Sequence, residues 1–418
     1  MRLVLSEEEK RLVRDYAARL YRLLVPLKAI APELGGSGEL RRAEAVEEEL
    51  RSLGVEYRRI DSPDPRAEGG VRPNIVASIP GLRSDLRLWI VAHLDTVPEG
   101  DPSLWTRPPF EASFEGDVVY GRGVEDDLQA VVTALALAKL LVREGVKPLV
   151  TVGLAFVADE EAGSRHGLRY LIEKEVFGAP SREWFIVPDA GSPDGSKMIV
   201  AEKHILWAKV VVEGRQAHAS TPHQGLNAHR VGMKLNLGLD EMLHSRFVGY
   251  DPLYEPPYGT FEPTRKEENV SNINTIPGVD VVYWDMRILP SMSLDEVEAA
   301  IRGYLGSTAP SLGVKARVEI VAKDEAGEPT KPEHPLVRAL GHAIKETRGV
   351  EPRPIGIGGG TVARYLRREG YPAVVWMTCE ETAHQPDEHT RLSYIVADVE
   401  TLYYLITESP LLRPPLGE

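Results

Sequence analysis

Through the first half of the chain, runs of branched apolar residues alternate with longer stretches of helical periodicity. LWIVAHLDTV (88–97) reads as a strand that turns polar at its end. DDLQAVVTALALAKLLVREG (126–145) reads as a helix closed by Gly145. TVGLAFVADEEAG (151–163) is a second buried strand, HGLRYLIEKEVFG a second helix, and WFIVPDAG (184–191) a third strand. Long apolar strands separated by helices predict an α/β fold with a mostly parallel sheet covered on both faces. In such sheets ligands bind beyond the carboxyl ends of the strands. His93, Asp95, Asp159 to Glu161 and Asp189 all stand at those ends.

The rhythm changes near residue 204. ILWAKVVVEG predicts a strand, LNAHRVGMKLNLGLDEML a helix, VDVVYWDMRIL a strand, SLDEVEAAIRGYLG a helix and KARVEIVAKDE a strand. The Pro-, Tyr- and Glu-rich stretch 250–268 reads as an exposed excursion, and one more strand is expected near ENVSNINT. The resulting order, β-α-β-β-α-β, suits a ferredoxin-like four-stranded sheet with two helices on one face. It predicts a domain over 204–325 inserted into an α/β domain made of 1–203 and 326–418, where the helix HPLVRALGHAIKETRG, a Gly-rich turn, the strand YPAVVWMT and a helix near 391–407 follow.

Charge and cysteine content narrow the setting. The formal net charge of −14 argues against nucleic acid or an anionic membrane as partner, since both attract basic surfaces. With Cys379 the only cysteine, no internal disulfide can form, which fits a reducing compartment. The N-terminal segment carries acids too early for a signal peptide and reads as an amphipathic helix with Ser6 as N-cap. No apolar run reaches the roughly 18 residues of a membrane span. A cytoplasmic protein is the expectation.

The chemistry gathers at the strand ends. His93 and Asp95 are two apart on a strand and share a face, so the carboxylate can hold the second ring nitrogen of a metal-bound imidazole. Asp126 and Asp127 follow a tight glycine turn at a helix start. Glu160 and Glu161 follow a buried strand, Asp189 ends another, and His384 follows YPAVVWMTCE. Each piece alone has an ordinary explanation: an Asp pair before a helix usually caps it, and a Glu pair is usually solvated. Five such pieces at the carboxyl ends of apolar elements in one pattern are harder to explain that way. Clustered carboxylates repel one another, and cations relieve this. Two histidines with three or four carboxylates suit zinc, with cobalt or manganese as substitutes. So many ligands suggest two ions sharing a carboxylate, about 3.5–4 Å apart.

HLDTVP, GRGVEDD, ADEEAGS, PDAGS, GRQAHASTPHQGLNA and AHQPDE resemble, in sequence order, the motifs of the acetylornithine deacetylase / succinyl-diaminopimelate desuccinylase / glutamate carboxypeptidase family, from about residue 88 to 390. The resemblance implies a zinc-binding α/β domain with an inserted lid domain. It implies that His93 and Asp189 bind one zinc, that Glu161 and His384 bind the other, that Asp126 bridges both, and that the Asp126–Asp127 peptide is cis. Asp95 would orient His93, and Glu160 would be the general base of an amide hydrolysis. His218, in GRQAHAS, would stabilise the oxyanion, in several relatives from the partner subunit, which implies a homodimer.

The substrate side is less defined. Arg287 can match a carboxylate bidentately, or pair with Asp285. Asn274 occupies a family position near substrate. Gly359, Gly360 and Thr361 form a turn at a helix start, where free N–H groups can cradle an anion. The chain departs from the family pattern at 128–130 (LQA), at His204 and at Val362. The expected substrate is a small N-acyl amino acid with a free carboxylate, of the desuccinylase or deacetylase kind; the alternative is a dipeptidase or carboxypeptidase with the same site. A dinucleotide turn at GIGGGT is disfavoured because Thr361 stands where the last glycine belongs. A binding protein without catalysis is disfavoured because every expected ligand and Glu160 are present.

Overall fold

The computed structural model describes residues 4–413. The chain forms two compact units: one comprises residues up to 200, 329–355 and from 361 onward, the other 201–328 and 356–360.

The sheet of the first unit runs in the order Tyr57–Pro63, Val71–Ile79, Val150–Val157, Arg83–His93, Glu183–Gly191, Ala373–Met377, Lys197–Glu202 and Arg353–Ile357, its last two strands crossing the unit boundary. Its four central strands, Val150–Val157 through Ala373–Met377, are parallel. Antiparallel pairings flank them, in keeping with the expected mostly parallel sheet. Central strands have both faces covered, which is why LWIVAH and TVGLAFV read as unbroken apolar runs. His93 pairs opposite Val157. That register sets the residues just beyond both strands side by side.

The helix Leu128–Glu144 is buried on nearly every side, from Leu128 to Leu141, and ends where Gly145 takes a left-handed conformation at φ 60°. Glu7–Leu24, with Ser6 as the expected N-cap and a Ser6–Glu9 capping box, and Leu392–Thr407 pack on it. The helix expected from HGLRYLIEKEVFG covers only Leu168–Glu173, because the chain turns left-handed at Glu175, φ 53°.

The second unit has an antiparallel sheet in the order Thr260–Lys266, Val279–Ile288, His204–Glu213, Lys315–Asp324. Leu206, Ala208, Val210 and Val212 alternate onto the face packed against Leu235 and Leu239 of helix Ala228–Arg246 and Ile301 and Leu305 of helix Leu294–Ser311. The fourth strand comes from the stretch read as an excursion, not from ENVSNINT. TFEPTRK hides its strand character because it is a polar edge strand, where only one flank is bonded and Pro263 is accommodated beside a register shift. The segment near ENVSNINT contributes only Thr275–Ile276, paired with Ala217–His218. Among the described residues no helix is long and apolar enough to cross a membrane.

Candidate metal centre

The carboxyl ends of strands Arg83–His93 and Glu183–Gly191 and three loops, holding Asp126, Glu161 and His384, bring five residues of the first unit into two clusters. His93, Asp126 and Asp189 form one; Asp126, Glu161 and His384 form the other, with ligand atoms within 4.8 Å of one another in each. His93 Nε2 lies 2.8 Å from Asp126 Oδ1 and 3.8 Å from Asp189 Oδ1. His384 Nε2 lies 3.1 Å from Asp126 Oδ2 and 3.2 Å from Glu161 Oε1. The two oxygens of Asp126 thus face different clusters. The Asp126–Asp127 peptide is cis, and the Asp127 carboxylate accepts from the His93 amide at 2.9 Å.

The electrostatics of this arrangement fit divalent cations. Hydrogen bonds to Asp126 and Glu161 raise His384 to a pKa of about 10. Burial disfavours charge on His93, but bonds to Asp126 and Asp95 outweigh it and raise its pKa well above the usual value. Desolvation, then the charge of Asp189, pushes Glu160 well above the ordinary glutamate range. Each Nε2 faces two carboxylates. One imidazolium proton bonds one of them well, whereas a divalent cation can be shared by all three ligands. The mixed imidazole and carboxylate donor set suits zinc, cobalt or manganese.

The loops are held by buried acceptors that bind their backbone amides. Asp95 was expected to orient His93, and His93 Nδ1 does lie 3.1 Å from the Asp95 carbonyl and 3.4 Å from its carboxylate. The carboxylate does more: Oδ1 accepts from the Glu160 amide at 2.9 Å and Oδ2 from the Glu161 amide at 3.0 Å. Asn74 accepts from the Ala158 amide and Glu39 from that of Asp159. The buried Glu39 is itself paired with the buried Arg72. Four consecutive amides, 158 to 161, are therefore held by side chains from distant parts of the sequence. Neither Glu39 nor Asn74 carries a local signal; Asn74 reaches the loop after Val157 from the antiparallel neighbour Val71–Ile79, and Glu39 from the start of helix Leu40–Ser52.

A similar arrangement supports the loop that carries His384. Glu381, His384 and Asp387 have φ of 61°, 64° and 55°. For residues other than glycine this costs on the order of 1 kcal/mol each. Hydrogen bonds from amides to a charged carboxylate return roughly 1.5–3 kcal/mol apiece, and Glu125 accepts the amides of Glu380, Glu381 and Thr382. Glu380 is occupied by Arg391 at 2.6 Å, His389 at 2.9 Å and Tyr394 at 3.0 Å.

The remaining expected residues are outside the two clusters of ligand atoms. His218, in the second unit, is exposed; its Nδ1 accepts from the Ser220 amide at 3.2 Å, which leaves the ring proton on Nε2. Asn274, also in that unit, accepts from Asn272 and, through its carbonyl, from the Ala219 amide. Arg287 is engaged by Asp285 at 2.6 and 2.9 Å and by the Gly358 carbonyl at 3.0 Å. Thr361 Oγ1 accepts from the Ala363 amide at the start of a six-residue helix, Ala363–Arg368; Gly359 and Gly360 precede it in the turn.

A paired His and carboxylate centre at the strand ends of this fold defines a metal-dependent hydrolase acting on amide or peptide bonds. The chain belongs to peptidase family M20/M25/M40, whose model matches residues 89–408. An uncharacterized metallohydrolase of Methanococcus maripaludis is 36% identical, over 93% of this chain and 98% of its own length. The succinyl-diaminopimelate desuccinylase of Alkalilimnicola ehrlichii is 24% identical, over 91% of this chain and 94% of its own. Human carnosine dipeptidase 1 shares the fold with a TM-score of 0.72 at 16% identity, covering 96% of this chain and 98% of that one.

Proposed function

We propose that the chain hydrolyses the amide bond of a small N-acyl amino acid with a free carboxylate, as the name of the desuccinylase relative suggests. The observation that carries this reading is the pair of clusters sharing Asp126, with Glu160 beside them. His93 and Asp189 would hold one cation, Glu161 and His384 a second, and Asp126 both. Divalent cations at such a centre supply a water of lowered pKa and polarise the substrate carbonyl. Glu160 takes the proton of the attacking water and returns it to the leaving nitrogen. Burial and the neighbouring carboxylates raise its affinity for a proton, which suits a group that takes one up and gives it back. Asp95 keeps Glu160 and Glu161 in place through their amides.

His218 is assigned the role of an additional oxyanion donor through Nε2–H, in this chain or in the second copy of a homodimer. Arg287 is assigned to the substrate carboxylate, with Asp285 as the partner it leaves or shares. Asn274 and the turn Gly359, Gly360 and Thr361 are assigned to the remaining substrate contacts.

The test is metal content of the purified protein together with turnover of N-succinyl-diaminopimelate, N-acetylornithine, other N-acyl amino acids and plain dipeptides, with and without chelator. Two metals per chain and fastest, chelator-sensitive cleavage of an N-acyl amino acid are expected. Preferred cleavage of dipeptides would replace the deacylase reading with a dipeptidase or carboxypeptidase. No cleavage after supply of zinc, manganese or cobalt would sink both.

A further inference from the structure

We propose that Glu125 and Glu388 form a reciprocal latch between the Asp126 loop and the His384 loop, and that Glu125 is thereby a positioning residue for the cluster Asp126, Glu161 and His384. The inference rests on the reading of that cluster as a cation site.

The geometry is symmetric in its logic. Glu125 precedes Asp126, and its carboxylate reaches the other loop. Oε1 accepts from the Glu380 amide at 2.6 Å and the Glu381 amide at 3.1 Å. Oε2 accepts from the Thr382 amide and, at 2.6 Å, from the Thr382 hydroxyl. Glu388, four residues beyond His384, reaches back. Its Oε2 accepts from the Gly123 amide at 2.9 Å and from Arg122 at 2.6 Å. Its Oε1 accepts from the Glu125 amide at 3.0 Å and the Asp126 amide at 3.1 Å. Both side chains are buried, at 1% and 0% exposure. Each loop thus donates its backbone to a carboxylate of the other, and each carboxylate sits within four residues of a proposed ligand.

Two features make this more than packing. The His384 loop holds three non-glycine residues at left-handed φ, including His384 itself, a conformation that persists only where surroundings over-determine it. The three amides Glu125 binds, 380 to 382, span the entry to that strained segment. Asp126 and His384 must also keep their ligand atoms in register, because a cation site tolerates little displacement of its donors. The residues that set this register are separated by more than 250 positions in sequence, and the latch joins them beside the antiparallel pairing of His389–Arg391 with Val118–Tyr120.

Glu125→Ala and the isosteric Glu125→Gln test it in the full chain. Each would be stripped of metal and titrated with Co2+, followed by visible absorbance, and with Zn2+ against a chromophoric chelator. The expected result is one site of wild-type affinity and one weakened about 10- to 100-fold in Glu125→Ala. Glu125→Gln, which keeps one acceptor oxygen, should lie between that variant and wild type. kcat at limiting metal should fall in the same order with KM little changed. Should Glu125→Ala fail to fold, the Gln variant carries the test alone through its split affinities. Two sites of unchanged affinity in the folded variants would overturn the latch while leaving the cation site standing. A wild-type chain that takes up no metal would overturn both.

Discussion

The loops of the first unit and the short two-stranded ladder of the second that bears His218 solve opposite problems. Around Asp126, Glu160, Glu161 and His384, buried carboxylates and Asn74 accept the amides of residues 125, 158, 160, 161 and 380. Around His218 the ladder is two residues long, the imidazole is exposed, and one serine supplies its local contacts. A group that shares a cation must hold its atom within tenths of an ångström, and buried charge costs too much unless fully bonded. A donor that acts only as charge develops on a substrate needs the right proton on the right nitrogen, which the Ser220 amide provides by occupying Nδ1. Rigid support is therefore expected where ligands are shared, and light support where a group must arrive.

Three measurements would break or sharpen this contrast. The largest effect is expected for Glu160→Gln: a fall in kcat of about 10²- to 10⁴-fold with both metals retained on analysis. Loss of metal instead would make Glu160 part of the rigid ligand set. Next comes His218→Ala, which should lower kcat about 10²- to 10³-fold with metal content and melting temperature unchanged. Wild-type turnover would reduce the histidine to a local contact with Ser220. The smallest effect tests rigidity without touching the centre. Cys379 is 3% exposed and burial pushes its thiol up to about 12, so at pH 8 it stays protonated and unreactive. A thiol reagent should leave the native protein unmodified over hours and label it fully in denaturant. Rapid labelling of native protein would show that the segment next to Glu380 opens, against the tight hold assigned to it.

Much of the centre was legible in the sequence because strand ends can be read. An apolar run that turns polar at His93, Asp159 or Asp189 announces a sheet margin where ligands gather, and the order of motifs identified the family. The residues that support the centre were not legible. Glu39 reads as a helix-start acid, Asn74 as a polar interruption of a strand and Glu125 as one more carboxylate beside Asp126. Thr260–Lys266 was missed for a related reason: a polar edge strand with a proline has no hydrophobic alternation to show.

By itself the sequence determined the alternation of apolar strands and helices, the residues able to bind cations, and the chemistry those residue types permit, since these depend on side-chain identity and short spacing. The tertiary structure alone decided which carboxylates face a cluster and which face a backbone. That choice rests on the parallel register of His93 with Val157 and on the meeting of the Asp126 and His384 loops, contacts made by segments far apart in the chain and held by hydrogen bonds that no local pattern records.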